Sequence, residues 1–138
     1  QFYKNDQGII SFWINSWKKN KKLNYINFGG FGYQVRDCLH PKDLGSLIKK
    51  QLSFLEKKKL KKFIFNVSGG IASSFSLREL SLWCKKNISS KKIGHKKVNR
   101  PFDLKWLVLD NRSVKKLFNW KIKISKNKIF EEIAVNDN

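Results

Sequence analysis

An α/β fold is predicted for this chain on three observations. Strand-like and helix-like segments alternate without an internal repeat, an S-x-x-E box at Ser76 and Glu79 opens an amphipathic stretch, and the run KKFIFNV (61–67) is apolar on both faces once its lysines are passed. Its 138 residues allow one domain or part of one, and 41% hydrophobic content with five Trp and eleven Phe suffices for a packed core.

In chain order, Asn5 or Asp6 is placed to cap a helix running to about Asn20, with Ile9, Ile10, Trp13 and Trp17 recurring on one face. LNYINF (23–28) reads as a strand, GGFG (29–32) as a hairpin turn and YQVRDCL (33–39) as a second extended piece. Pro41, whose fixed φ suits a first helical turn, introduces a helix over about 42–55. KKFIFNV is then expected as a strand inside a parallel sheet, needing a layer on each side. After the SGG turn (68–70) the capping box starts a helix carrying Leu77, Leu80, Leu82 and Trp83 and stopping near Asn87. A lysine-rich loop (85–97), extended RPFDLKWLVLD (100–110), a short helix from about Asn111 and a last helix opened by Ser125 complete the chain.

A net charge of +20 points toward nucleic acid or an anionic surface, because phosphates reward clustered cations with counterion release. The way the charge is made weakens that inference. Only four of the 30 basic residues are arginine (Arg36, Arg78, Arg100 and Arg112), and the lysines accompany abundant Asn, Ile and Phe, as in A/T-rich coding. The lysine excess therefore reads as solvated faces, and a basic nucleic-acid-binding module is the alternative from another class. Cys38 and Cys84 stand alone, so neither a disulfide framework nor a zinc site is expected, and a reducing cytosol fits. The longest apolar runs, such as WLVL (106–109), fall short of a membrane span. With no Met in the chain, Gln1 is not expected to be a natural start, and a piece of a longer protein is expected.

The glycines of NFGGFGY (27–33) lead into extended chain, whereas a dinucleotide fingerprint needs G-x-G-x-x-G between a strand and a helix. No Tyr is followed four positions later by Lys, so the Y-x-x-x-K proton-transfer pair is missing too. Arg36 and Arg100 carry more information, since a guanidinium is a rigid fork of donors that grips a diphosphate as a lysine cannot. Asp103, three residues after Arg100, is near enough to take ribose hydroxyls beside such a phosphate. A structural ion pair with Asp37 or Asp103 is the competing account of each arginine. His40 before a helix suits a cap, and Arg112 suits solvent.

QFYKNDQG (1–8), KKLNYINFGGFGYQVRDCLHPKDL (21–44), FNVSGGIASSFSLREL (65–80) and RPFDLKWLVLDNRSVKKLFNWKIKIS (100–125) follow one another in a telling order. They resemble, respectively, the segment after a G-P-R turn, an R-D-x-x-H-V-x-D-L block, an N-V-G-G-G-x-x-x-S-x-S-L-x-E-L block and a closing R-P-x-D segment with a G-W turn. These belong to the NAD-dependent nucleotide-sugar epimerases and dehydratases of the extended short-chain dehydrogenase/reductase family. Four residues depart from the pattern: Tyr33 stands for a lysine, Pro41 for a valine, and Ser68 and Asn119 for glycines.

The resemblance implies an α/β C-terminal substrate-binding portion of an extended Rossmann-type epimerase, lacking the N-terminal dinucleotide-binding half, with 42–67 packing on that half. It places Arg36 and Arg100 on the substrate diphosphate, Asp103 on the ribose, Gln7 and Gly8 near the sugar or its phosphate, and Tyr25, Ile26 and Asn27 along the base. NAD would be held by the missing half, and no catalytic, cofactor-binding or metal-binding residue is assigned here. The implied partner is a nucleotide-diphosphate-sugar, CDP-linked on the D-Q-G and Q-V-R-D forms, with neither nucleic acid nor membrane. A homo-oligomer of the full-length enzyme is left open.

Overall fold

The computed structural model describes residues 8–56, 64–98 and 101–136. The elements are α1 (Ile9–Lys18), β1 (Asn24–Tyr25), β2 (Val35–Asp37), α2 (Pro41–Leu55), β3 (Ser74–Ser76), α3 (Leu77–Asn87), β4 (Gly94–His95), β5 (Trp106–Leu107), α4 (Arg112–Leu117) and α5 (Lys126–Val135). Helices and short strands do alternate. The chain divides into two compact units, one within Gln1–Val35, Phe75–Trp106 and Asn127–Asn138, the other within Arg36–Ser74 and Leu107–Lys126.

In the first unit, α1 turns Trp13, Ile14 and Trp17 inward, while Ile9 is exposed. The two indoles are tied down, Trp13 Nε1 donating to Ser81 Oγ and Trp17 Nε1 to the Ser89 carbonyl, both at 2.9 Å, so large apolar rings are buried without orphaning their N–H groups. α3 begins as its sequence demands: Ser76 Oγ accepts from Glu79 N–H while Glu79 Oε2 accepts from Ser76 N–H, a reciprocal box worth about 1 kcal/mol. Its inward face is Leu77, Leu80, Ser81 and Cys84, which leaves Leu82 outside, one position off the stripe. Phe130 of α5 closes this core, edge-on to Phe75 at 5.1 Å and to Trp83 at 5.5 Å.

The glycine turn is real but makes no hairpin. β1 pairs in parallel with β4, Asn24 opposite Gly94 and Tyr25 opposite His95, inside what reads as a lysine-rich loop. The remaining strands run in the order β3-β2-β5. The turn residues Gly29, Gly30 and Gly32 all have φ between 72° and 81°, a region open to glycine because it has no Cβ.

In the second unit, Leu47, Val114, Phe118 and Trp120 form the core, with Leu39, Phe54, Phe65, Val67 and Ile122 packed on it. Pro41 occupies the first turn of α2 and His40 caps it, its Nδ1 accepting from Lys42 N–H. Asp43, in that first turn, is 3% exposed and accepts from the N–H groups of Lys123 and Ile124, both at 3.0 Å. Trp120 Nε1 donates to the Asp43 carbonyl and to Ser46 Oγ. The expected strand over 61–67 is not found: residues 64–67 are irregular, with Ile64 exposed and Phe65 edge-on to Phe118, and 61–63 lie outside the described residues. An apolar run with no paired neighbour has no ladder to join. The proposed caps Asn5 and Asp6 also lie outside the described residues; Gly8 takes the cap position of α1.

Candidate functional site

Tyr25, Ile26, Asn27 and Asp103 all belong to the first unit. The ring of Tyr25, half-buried, stacks on Trp13 at 5.6 Å. Burial raises the Tyr25 hydroxyl above its ordinary pKa, opposed by a hydrogen bond with Ser81 and by the charge of Arg78. The ring also lines a cavity of about 190 Å³ with Trp17, Arg78 and Ser81.

Asn27 is buried, with φ 58°, a left-handed conformation that asparagine tolerates better than most residues. Its N–H donates to the Val98 carbonyl at 3.1 Å, its carbonyl accepts from Gly30 N–H at 2.8 Å, and its Nδ2 donates to Asp103 Oδ2 at 2.7 Å. The last bond brings two of the expected site residues together from opposite ends of the unit's sequence. Beside them Gln34, 9% exposed, donates from Nε2 to the Ile26 carbonyl at 2.5 Å, while its Oε1 is a buried side-chain oxygen without a partner among the described residues. Sequence reading passes over Gln34 as one letter of Y-Q-V-R-D; a polar residue between Tyr33 and Val35 in an extended piece was the available signal.

Gly8 has φ 82° and its carbonyl accepts from Phe12 N–H, opening α1. Arg36 is half-buried in β2 and belongs to the second unit. Its neighbour Asp37 accepts from Gly70 N–H at 2.7 Å. Gly69 is demanded by contact alone, since a Cβ there would stand 1.9 Å from the Cys38 carbonyl oxygen. Gln7 and Arg100 lie outside the described residues.

Each departure from the family pattern has a physical account within its own unit. Tyr33 accepts a hydrogen bond from Arg78 Nη1 at 3.2 Å, with the guanidinium carbon 5.9 Å from the ring centroid. Pro41 fits the first turn of α2, where its missing N–H has no helical partner to lose. Ser68 Oγ donates to the Leu109 carbonyl and accepts from Gly70 N–H, and its own carbonyl accepts from Asn111 Nδ2. Asn119 adopts φ 45°, the left-handed region a glycine would otherwise fill.

Burial pushes the thiols of Cys38 and Cys84 up to about 11 and about 12, so both stay protonated and neither is an activated nucleophile. Among the described residues no group of three His, Cys, Asp or Glu side chains could hold a metal, and no helix is long and apolar enough to cross a membrane. The glycines 29, 30 and 32 lead into β2 rather than into a helix, so this turn is not the strand–turn–helix cradle of a dinucleotide.

No protein-family model and no curated protein matches the chain. Solved structures do. UDP-glucose 4-epimerase from Thermotoga maritima, crystallised with UDP-glucose, is 20% identical with a TM-score of 0.71, over 97% of this chain and 40% of that one. Pal from Bacillus thuringiensis is 22% identical with a TM-score of 0.70, over 95% of this chain and 39% of that one. WbmG from Bordetella bronchiseptica, in complex with NAD, is 20% identical with a TM-score of 0.67, over 90% and 36%. At these identities the likeness is one of fold. The chain spans about two-fifths of the length of the structures it resembles.

Proposed function

We propose that this chain is the C-terminal, nucleotide-sugar-binding portion of an NAD-dependent epimerase of the extended short-chain dehydrogenase/reductase family. The observation that carries the reading is that 97% of the chain shares its fold with two-fifths of an enzyme crystallised with UDP-glucose. The order of the four sequence blocks supports the same assignment independently. The D-Q-G and Q-V-R-D forms favour a CDP-paratose 2-epimerase, with carbon 2 as the reacting centre; the likeness to a UDP-glucose 4-epimerase favours carbon 4 as the second reading.

In this reading Arg36 and Arg100 clamp the diphosphate with charge-assisted bidentate bonds, Asp103 takes a ribose hydroxyl, and Gln7 and Gly8 border the sugar. Tyr25, Ile26 and Asn27 line the base, with the Tyr25 ring stacked on Trp13. The Asn27 bond fixes the Asp103 carboxylate before any ligand arrives, which lowers the ordering cost of binding. NAD, held by the rest of the enzyme, supplies hydride exchange at the sugar carbon. This portion supplies orientation: binding remote nucleotide groups becomes positioning at the reacting carbon.

The remaining three-fifths of the fold also accounts for an uncovered surface. Leu44, Ile48, Leu52 and Leu55 are 40%, 47%, 59% and 50% exposed and form one seam along α2, opposite the inward Leu47. With residues 64–67, this seam is the proposed contact with the NAD-binding half. The test is to join the upstream reading frame to this chain and follow CDP- and UDP-sugars by NMR with NAD present. Inversion at carbon 2 supports the first reading and inversion at carbon 4 the second. Absence of turnover and of nucleotide-sugar binding in the joined protein rejects both.

A further inference from the structure

We propose that the cavity of about 190 Å³ in the first unit, where α3 meets Trp17 of α1, is a binding site for a phosphate-class oxyanion, free or at the end of a small molecule. This goes beyond the nucleotide reading and does not depend on it. Trp17 and Ser81 in the cavity wall are buried, Tyr25 and Lys91 half-buried, and Arg78 and Lys85 exposed, so the wall has an aromatic floor and a cationic rim. No carboxylate is among the described residues that line it.

The helix itself gathers the charges. Arg78, Ser81, Leu82 and Lys85 stand at i, i+3, i+4 and i+7 on α3, one face of a helix, which is also why Leu82 lies outside the hydrophobic core. Lys91 comes from the chain after α3, and its ammonium is held in place by donating to the Ser16 and Lys21 carbonyls. Those acceptors are neutral and engage two of its three N–H groups. Arg78 gives Nη1 to the Tyr33 hydroxyl, and its charge is felt at the Tyr25 hydroxyl, where it opposes the rise in pKa that burial causes. None of the three cations has a carboxylate within ion-pair distance among the described residues.

Three like charges around one concavity repel one another, and a concave wall focuses their field on the space between them. Salt reduces that repulsion, and an anion seated in the cavity removes it. Size selects the kind of anion. Pockets that enclose whole organic ligands run to roughly 300–1,000 Å³, so this cavity suits a tetrahedral ion or the terminal group of something larger, not a nucleotide. A guanidinium fork matches two phosphate oxygens and the ammonium groups add point charges, while the Trp17 and Tyr25 rings keep water from the inner side.

The test is to titrate the isotope-labelled 138-residue chain with inorganic phosphate and with phenyl phosphate at constant ionic strength, following backbone amides and the Trp17 indole N–H by NMR. Saturable shifts are expected at Trp17, Ser81, Lys85 and Lys91 with both probes. Equal affinities assign the site to the free ion and tighter phenyl phosphate to a phosphate on an organic body, and either result supports the site. Arg78→Gln should weaken phosphate about fivefold and Lys85→Gln about threefold. Lys86→Gln makes the same charge change one residue along α3, at a position that does not line the cavity, and should leave binding alone. If Arg78→Gln does not fold, the comparison of Lys85→Gln with Lys86→Gln decides. Shifts that never saturate, shifts spread over the lysines of both units, or equal losses at Lys85 and Lys86 mean an adventitious ion only and overturn the inference, while the nucleotide reading stands.

Discussion

The two units differ in how completely their buried polar groups are satisfied and in how much left-handed backbone they carry. In the second, Asp43 has both carboxylate oxygens engaged, the Trp120 indole has two acceptors, and Ser68, Gly70 and Asn111 close on one another. In the first, Gln34 keeps an orphan oxygen, and Asn20, Asn27, Phe28 and Phe102 adopt left-handed φ, against Asn119 alone among described non-glycine residues of the second. Left-handed phenylalanines cost of order 1–3 kcal/mol each; Phe28 is half-buried and Phe102 fully exposed. The contrast teaches that one unit is built for stability, while the other carries unsatisfied and strained groups where the proposed base-binding strand lies.

The largest expected effect breaks the stable side. Asp43→Ala strands the N–H groups of Lys123 and Ile124 and should lower unfolding free energy by about 3 kcal/mol, while the main-chain carbonyl that accepts from the Trp120 indole stays in place. Urea denaturation measures it, and a loss below about 1 kcal/mol would mean that the carboxylate is not the staple described here. Next, in the joined enzyme, Arg100→Lys keeps charge but loses the planar fork, so nucleotide-sugar affinity should fall by about 1.5–3 kcal/mol by calorimetry, with NAD affinity unchanged. Arg112→Lys is the control and should leave both affinities alone. Equal losses at the two positions would remove Arg100 from the diphosphate. A smaller effect is expected at Leu52→Lys, on the exposed seam of α2: within about 0.5 kcal/mol on the stability of this chain alone, yet with less apolar-dye binding and weaker association with the NAD-binding half. Undiminished association would take the seam out of that interface.

How far the sequence carried this contrast depends on the kind of signal. Ser76 with Glu79, Pro41 after His40 and the stop at Asn87 were legible because capping chemistry is local, written within four residues of where it acts. The pairing of β1 with β4 was not, since a two-residue strand has no periodicity and its partner lies among lysines. Of the apolar residues the sequence places on α3, Leu82 lies outside, one position off a stripe that Ser81 occupies. Of the expected site, Asn27 and Asp103 meet, Tyr25 stacks on Trp13, and Arg36 belongs to the other unit from them. Gln34 shows in the sequence only as a polar residue within an extended piece, and nothing there marks which end of its amide will lack a partner among the described residues.

The smallest expected effect concerns the surface of the stable unit and asks whether charge contributes there. Arg112 wraps Asp110, Nε donating to both carboxylate oxygens at 3.0 Å, Nη2 to Oδ2 at 2.7 Å and the backbone N–H to Oδ1 at 2.9 Å. The guanidinium bonds, then the backbone N–H, hold the Asp110 carboxyl at about 2, below its ordinary 3.8. A depressed folded-state pKa means that the contribution to stability is complete above the unfolded value and disappears as pH falls from there through about 2. Both groups are fully exposed, so water and salt screen the pair and the effect on unfolding should be slight and should shrink further at high ionic strength. A carboxyl-detected NMR titration should find the midpoint near 2 and see Arg112→Lys lift it toward 3.8, while the urea midpoints of the chain and of Arg112→Lys differ little between pH 4 and pH 2. A steep stability loss over that range, traced to Asp110, would mean that the second unit relies on its surface charge as well as on the closed polar network around Asp43.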